Sequence, residues 1–249
     1  MSPEEESHFY QAEYAKIYSA EKGTDISHLS YARMADAEMY FNWVEKSVLP
    51  GRMCMEAGCA SGYFLELMRD KGYYVSGIEP HTELRNMCER SGIRMFPSIE
   101  SCGTESCDYL FMFFLLEHLG DPVKFLGHAK RVCRTGGKIF IVVPNVDDVL
   151  LSTYDMQSFR DFYFTPAHQF YYSRGTLSLL LRKSFLPCHY ILPKQRYDLS
   201  NHMHWMMAGK PGGMGKYIHE TGSFTSQCYQ ENLCDRFLCD TLLAIVEVG

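Results

Sequence analysis

Between residues 51 and 144 the chain alternates short apolar runs with amphipathic ones, an order that few architectures accept. "RMCMEAG", "YYVSGIE", "IRMF", "CDYLFMFFLL" and "KIFIVVP" read as strands. "YFLELMRDKG" between the first two puts Phe64, Leu65, Leu67 and Met68 on one helical face and Gly72 at its end. "HTELRNMCERSG" reads as the next helix, and "DPVKFLGHAKRVCRTGG" as a helix closed by two glycines. This order predicts an α/β fold, a doubly wound sheet with right-handed crossovers. The fourth run lacks polar alternation, as expected of a central parallel strand covered on both faces.

In such a sheet a ligand binds beyond the carboxyl ends of the strands, where the strand order reverses. The first strand ends there in "EAGCASG", whose Gly58 and Gly62 allow a sharp turn and a close backbone approach. Glu79 ends the second strand about 20 residues further on, where a carboxylate can accept both hydroxyls of a ribose. The expected ligand is therefore an adenosine derivative. A dinucleotide fingerprint would need a third glycine at the position of Tyr63, and a phosphate loop would need Gly-Lys-Ser/Thr; neither is present. Glu56, before the turn, suits an ammonium and a sulfonium better than a phosphate.

A chain of 249 residues with 46% hydrophobic content can bury one large core, so a single domain with an elaborated end is expected. The formal charge of -6 argues against duplex nucleic acid as a partner. Residues 109–116 form the longest apolar run, too short to span a bilayer, and "MSPEEES" lacks the features of a secretory signal. A cytoplasmic protein without a membrane partner is expected. The ten cysteines include no CxxC pair, which predicts reduced and mostly buried thiols and no metal site.

"EAGCASG", "GIEP", "LLEHLGDP" and "RTGGKIFIVVPN", in that order, resemble the class I S-adenosylmethionine-dependent methyltransferases of the type 11, 12 and 23 subgroups over residues 50–190. Ala60 stands where that family usually has its middle glycine. The resemblance implies S-adenosylmethionine as cofactor and a Rossmann-like sheet of seven strands, the last antiparallel. It places Glu56 near the methionine moiety, Gly58, Cys59, Ala60 and Gly62 in the turn under the ligand, and Glu79 with Pro80 at the ribose. Pro97, Ser98 and Ile99 become candidates for the adenine slot, and Leu116, Glu117 and His118 are expected to face the methyl group. Residues 241–248 would be the last strand, with a partner in residues 188–197, where Pro193 calls for an edge or a bulge.

The chain divides into an N-terminal helical lid over residues 1–50 and a methyltransferase domain over 51–249, with 194–238 as a substrate-binding insertion. In the lid, Ser2-Pro3-Glu4-Glu5 forms a capping box before a helix bearing Tyr10, Tyr14 and Tyr18, and residues 31–48 form a second amphipathic stretch. Methyl transfer to an alcohol needs a base, for which His168 and His118 are the candidates. Arg196, Asn201, His202, Lys210 and Lys216 are the candidate acceptor contacts, alongside His204, Trp205 and a glycine loop that could cradle an anion. That segment resembles methyltransferases of bacterial capsule and surface-glycan biosynthesis, which implies a small sugar or phosphorylated acceptor. A non-catalytic cofactor-binding module and, less favoured, an NAD(P)-dependent oxidoreductase are the competing readings.

Overall fold

The computed structural model describes residues 26–186 and 190–249. The candidate tyrosines at 10, 14 and 18 lie outside them. Seven strands form one sheet in the order β3-β2-β1-β4-β5-β7-β6. These are β1 (Met53–Ala57), β2 (Tyr74–Ile78), β3 (Arg94–Phe96), β4 (Cys107–Phe113), β5 (Cys133–Pro144), β6 (Tyr190–Lys194) and β7 (Thr241–Glu247). β1 pairs in parallel with both β2 and β4, and β4 with β5, whereas β7 lies antiparallel between β5 and β6. Strand order thus reverses between β1 and β4, which places a crevice beyond their carboxyl ends. β6 is an edge strand, so Pro193 sits where a missing ladder donor is tolerated.

Both faces of the sheet are covered. Leu110 and Met112 of β4 point into a core shared with Leu126 and Ala129 of one helix (Pro122–Val132) and with Leu177 and Leu181 of another (Arg174–Lys183). The intervening Tyr109, Phe111 and Phe113 point the other way. There they meet Phe64 and Met68 of α2 (Tyr63–Asp70) and Ala37 and Val44 of α1 (Ile26–Val44). The absence of alternation in β4 is the sequence trace of these two buried faces. Tyr40 of α1 stacks on Phe113 with ring centroids 4.4 Å apart, so this part of the segment read as a lid packs against the sheet. No helix among the described residues is long and apolar enough to cross a membrane.

The helix expected through Gly137 stops at Val132. "CRTGG" instead begins β5: Cys133 pairs with Cys107, and the register shifts before Lys138 pairs with Tyr109. The glycines serve a strand irregularity, because a Cβ on Gly137 would lie 2.6 Å from the Asp108 carbonyl oxygen.

Candidate active site

The turn after β1 and the end of β2 form one hydrogen-bonded unit. Gly58 N–H donates to the Ile78 carbonyl at 2.8 Å, and the Glu79 carboxylate accepts from Ala60 N–H at 2.9 Å and from His81 N–H at 2.8 Å. Arg85 donates to the Glu79 and Pro80 carbonyls at 2.8 and 3.0 Å, which fixes the loop from behind. Gly58 and Gly62 have φ of 74° and 78°, and a Cβ on Gly62 would meet Cys88 Sγ at 2.8 Å. Ala60 has φ of 47°, the left-handed conformation expected of the glycine it replaces.

Both acids of this half are buried. Glu56 is 6% exposed, and its Oε2 has no hydrogen-bond partner. Burial, then Cys88 and Glu79, pushes its pKa up to about 8. Burial also raises Glu79, against the opposing bonds from His81 and Ala60. An orphaned buried carboxylate oxygen calls for a cation, and the ammonium of S-adenosylmethionine supplies one. The two bonds to Glu79 leave each of its oxygens with acceptor capacity for a ribose hydroxyl. The glycine turn, Glu56 and Glu79 therefore fit this cofactor. Around the third strand, Ser98 is half-buried before a short helical turn, Ile99 belongs to the core and Pro97 is exposed.

The other half is built on the segment that follows β4. Leu116, expected to face the methyl group, lies in the main core instead. Leu115 approaches the turn: a Cβ on Gly58 would lie 3.1 Å from its Cδ1. Glu117 is 1% exposed, and neither of its carboxylate oxygens has a hydrogen-bond partner. Burial raises its pKa to about 8, against its own backbone N–H and the field of Arg196. His118 is also buried, and its Nδ1 lies 3.0 Å from the Ala167 carbonyl. A carbonyl only accepts, so in the neutral ring Nδ1 carries the proton.

His168 lies across from them in a loop tied to this segment. Gln169 and Phe170 N–H groups donate to the Glu117 carbonyl at 2.7 and 3.1 Å, and the Tyr172 hydroxyl donates to the Leu116 carbonyl at 3.3 Å. The His168 and His118 ring centroids are 4.8 Å apart, and His168 Nδ1 is buried without a partner. Burial, helped by His118, lowers the His168 pKa to about 4. The structure therefore brings together the two histidines singled out as bases. It adds Tyr163, whose buried hydroxyl has no partner and whose pKa is raised by burial and by the nearby Asp148 and Glu117. Nothing local in "DFYFTP" marks Tyr163 among its aromatic neighbours.

The candidate acceptor contacts are dispersed. Arg196 Nε donates to Asp240 Oδ1 at 3.0 Å, while Asp240 Oδ2 accepts from the backbone N–H groups of Arg196 and Tyr197. Its guanidinium lies 4.4 Å from the Phe114 ring centre. The expectation that Arg196 is an available anion anchor is thereby corrected, because Asp240 already neutralises it. Asn201 and His202 lie buried in a helix (Leu199–Ala208) whose first turn is capped by Asp198. His202 Nδ1 is 2.9 Å from the Tyr229 hydroxyl, so its imidazole is engaged within the fold. Trp205 of the same helix packs in a satellite core with Phe159.

The glycine loop packs against its own helix start: Ser200 Oγ donates to the Gly213 carbonyl at 2.8 Å, and Gly215 N–H donates to Asp198 Oδ2 at 2.8 Å. Lys210 and Lys216 are exposed, the latter with Nζ 3.4 Å from His204 Nδ1.

The sequence profile of the family described as methyltransferase domain matches residues 34–184. The chain belongs to that family, and its cofactor is S-adenosylmethionine. It is 28% identical over 154 residues to the tRNA U34 carboxymethyltransferase of Pseudoalteromonas translucida, covering 53% of this chain and 47% of that protein. It is 26% identical over 111 residues to the ubiquinone biosynthesis O-methyltransferase of Hahella chejuensis, covering 41% and 47%. The chain spans about half the length of the curated relatives it matches. Among solved structures, a SAM-dependent methyltransferase from Archaeoglobus fulgidus aligns over 94% of this chain and all of that one (100%), with a TM-score of 0.60 and 17% identity. The 1,6-didemethyltoxoflavin-N1-methyltransferase of Burkholderia thailandensis aligns over 100% of this chain and 91% of that one, with a TM-score of 0.58 and 12% identity.

Proposed function

We propose that the protein transfers the methyl group of S-adenosylmethionine to an oxygen of a small acceptor. The observation that carries this reading is the row of buried, unpartnered polar atoms on Glu117, His168 and Tyr163. They gather at the segment that follows β4, whose Leu115 abuts the glycine turn. Bound there, the cofactor supplies a sulfonium with an electrophilic methyl group. Glu56 would hold its ammonium and Glu79 its ribose, with Leu115 packed against the turn. Transfer would exchange the sulfur–methyl bond for an oxygen–methyl bond, giving a thioether and a methyl ether. If side chains alone manage the proton of the acceptor hydroxyl, His168 Nδ1 receives it.

We take the acceptor to be a sugar, nucleotide-sugar or phosphorylated precursor of a surface polysaccharide, on the resemblance of residues 194–217. With Arg196 neutralised, any anion contact falls to Lys210 and Lys216, and residues 194–238 act as the acceptor-binding insertion. The net charge of -6 favours a small molecule over nucleic acid. The test is release of S-adenosylhomocysteine from the purified chain offered S-adenosylmethionine and a panel of sugars, sugar phosphates and nucleotide sugars. Turnover is expected with a phosphorylated member and a higher KM in Lys210→Ala with Lys216→Ala. Turnover confined to acceptors without a hydroxyl, or a KM indifferent to both lysines, would reject oxygen transfer or the anionic acceptor respectively.

A further inference from the structure

We propose that Glu117, His118 and His168 bind a divalent transition-metal cation of the zinc class, with at least one coordination position open to the acceptor. One ligand atom from each of the three lies within 4.8 Å of the others, so small side-chain adjustments bring all three to the metal–ligand distance of about 2.0–2.2 Å around a single ion. Glu117 is 1% exposed with both oxygens unpartnered, and His168 Nδ1 is buried and unpartnered beside it. A carboxylate so placed costs stability unless a cation meets it.

His118 already has the outer contact typical of a metal-bound imidazole. Its Nδ1–H donates to the Ala167 carbonyl at 3.0 Å, which fixes the tautomer whose Nε2 carries the lone pair. Gln169 and Phe170 N–H groups, held on the Glu117 carbonyl, keep the His168 loop in register with the acid. The loops that carry the ligands, and the His118 ring, are thus held in place before any ion arrives.

Donor chemistry selects the ion. Two imidazoles and one carboxylate suit zinc and its first-row neighbours, whereas magnesium and calcium take oxygen ligands. Three protein ligands leave a fourth position for an exogenous oxygen. An acceptor hydroxyl there would lose its proton to water more readily, with His168 as a ligand in place of a base. This use of the open position rests on the methyltransferase reading; binding of the ion does not.

The test uses the full chain stripped with a chelator and kept reduced. Titration with cobalt(II), followed by its visible d–d absorption, and with zinc by calorimetry should each show one site per chain. Glu117→Gln and His168→Gln should each weaken binding at least tenfold, and millimolar magnesium should not compete. S-adenosylhomocysteine affinity should be unchanged in both variants, which also shows that they fold; if one fails to fold, the other decides. No saturable site, binding that survives both substitutions and so belongs to the thiols, or displacement by magnesium would each overturn the proposal. Loss of metal binding with S-adenosylhomocysteine binding intact leaves the methyltransferase reading standing, and the reverse leaves the metal site standing.

Discussion

Glu56 is a single residue whose environment sets a pH dependence. Its pKa, about 8 folded against 4.5 as the ordinary value, is raised by burial, by Cys88 and by Glu79, with Cys59 also close by. Between those values the folded state holds a proton that the unfolded state has lost, so this residue's contribution is complete below about pH 4.5 and lost as pH rises through about 8. In the cofactor-free protein, Glu56→Gln should flatten that decline in Tm between pH 5 and 8. It should also weaken S-adenosylmethionine binding by roughly tenfold, a charge-assisted contact of about 1.4 kcal/mol. Retained affinity would remove Glu56 from the cofactor site. Ala60, at φ of 47°, offers the opposite case. Glycine adopts that conformation without the Cβ penalty, so Ala60→Gly should stabilise the protein by about 1 kcal/mol in denaturant unfolding. An unchanged midpoint would show that the turn carries no such strain.

Among the elements, β6 and β7 are joined by a contact that sequence reading assigned to the acceptor. Arg196 and Asp240 lie 44 positions apart, and Asp240, at 4% exposure, also accepts two backbone N–H groups at the end of β6. Breaking a buried pair leaves an unpaired charge, so Asp240→Ala should destabilise by about 3–5 kcal/mol in chemical unfolding. A loss below about 1 kcal/mol would return Arg196 to the list of acceptor contacts. The parallel core was legible because each of its elements announces itself locally: a period of 3.6 in α2, a continuous apolar run in β4, a glycine turn after β1. What sequence reading misplaced depends on facing or on long-range contact. In "FFLLEH" nothing distinguishes Leu115 at the turn from Leu116 in the core. Glu117 and His168 meet only because their loops are tied by backbone bonds. The glycines of "RTGG" look like a helix stop yet lie in a strand whose register shifts.

For the whole molecule, the switch point between β1 and β4 turns a local motif into a cofactor site. The turn after β1, the end of β2 and the segment after β4 come from separate parts of the chain, and the sheet order alone sets them around one crevice. A ligand that bridges Glu56, Glu79 and Leu115 therefore ties three parallel strands together and should stabilise the entire fold. By linkage, S-adenosylhomocysteine at a hundred times its Kd adds about 2.7 kcal/mol, visible as a rise in Tm that grows with concentration. Neither NAD nor NADP should produce it, because the turn offers Tyr63 where a pyrophosphate site has its third glycine. Glu79→Ala should abolish the shift through two routes at once: it removes the ribose acceptor, and it releases Ala60 and His81, whose N–H groups it now receives. Glu79→Gln separates the two, since an amide oxygen still accepts one of these bonds but carries no charge and has fewer lone pairs for the ribose. A Tm response preserved in Glu79→Gln would assign this residue to the turn's architecture. A response lost there as well, with the Tm of the cofactor-free variant unchanged, would assign it to the cofactor.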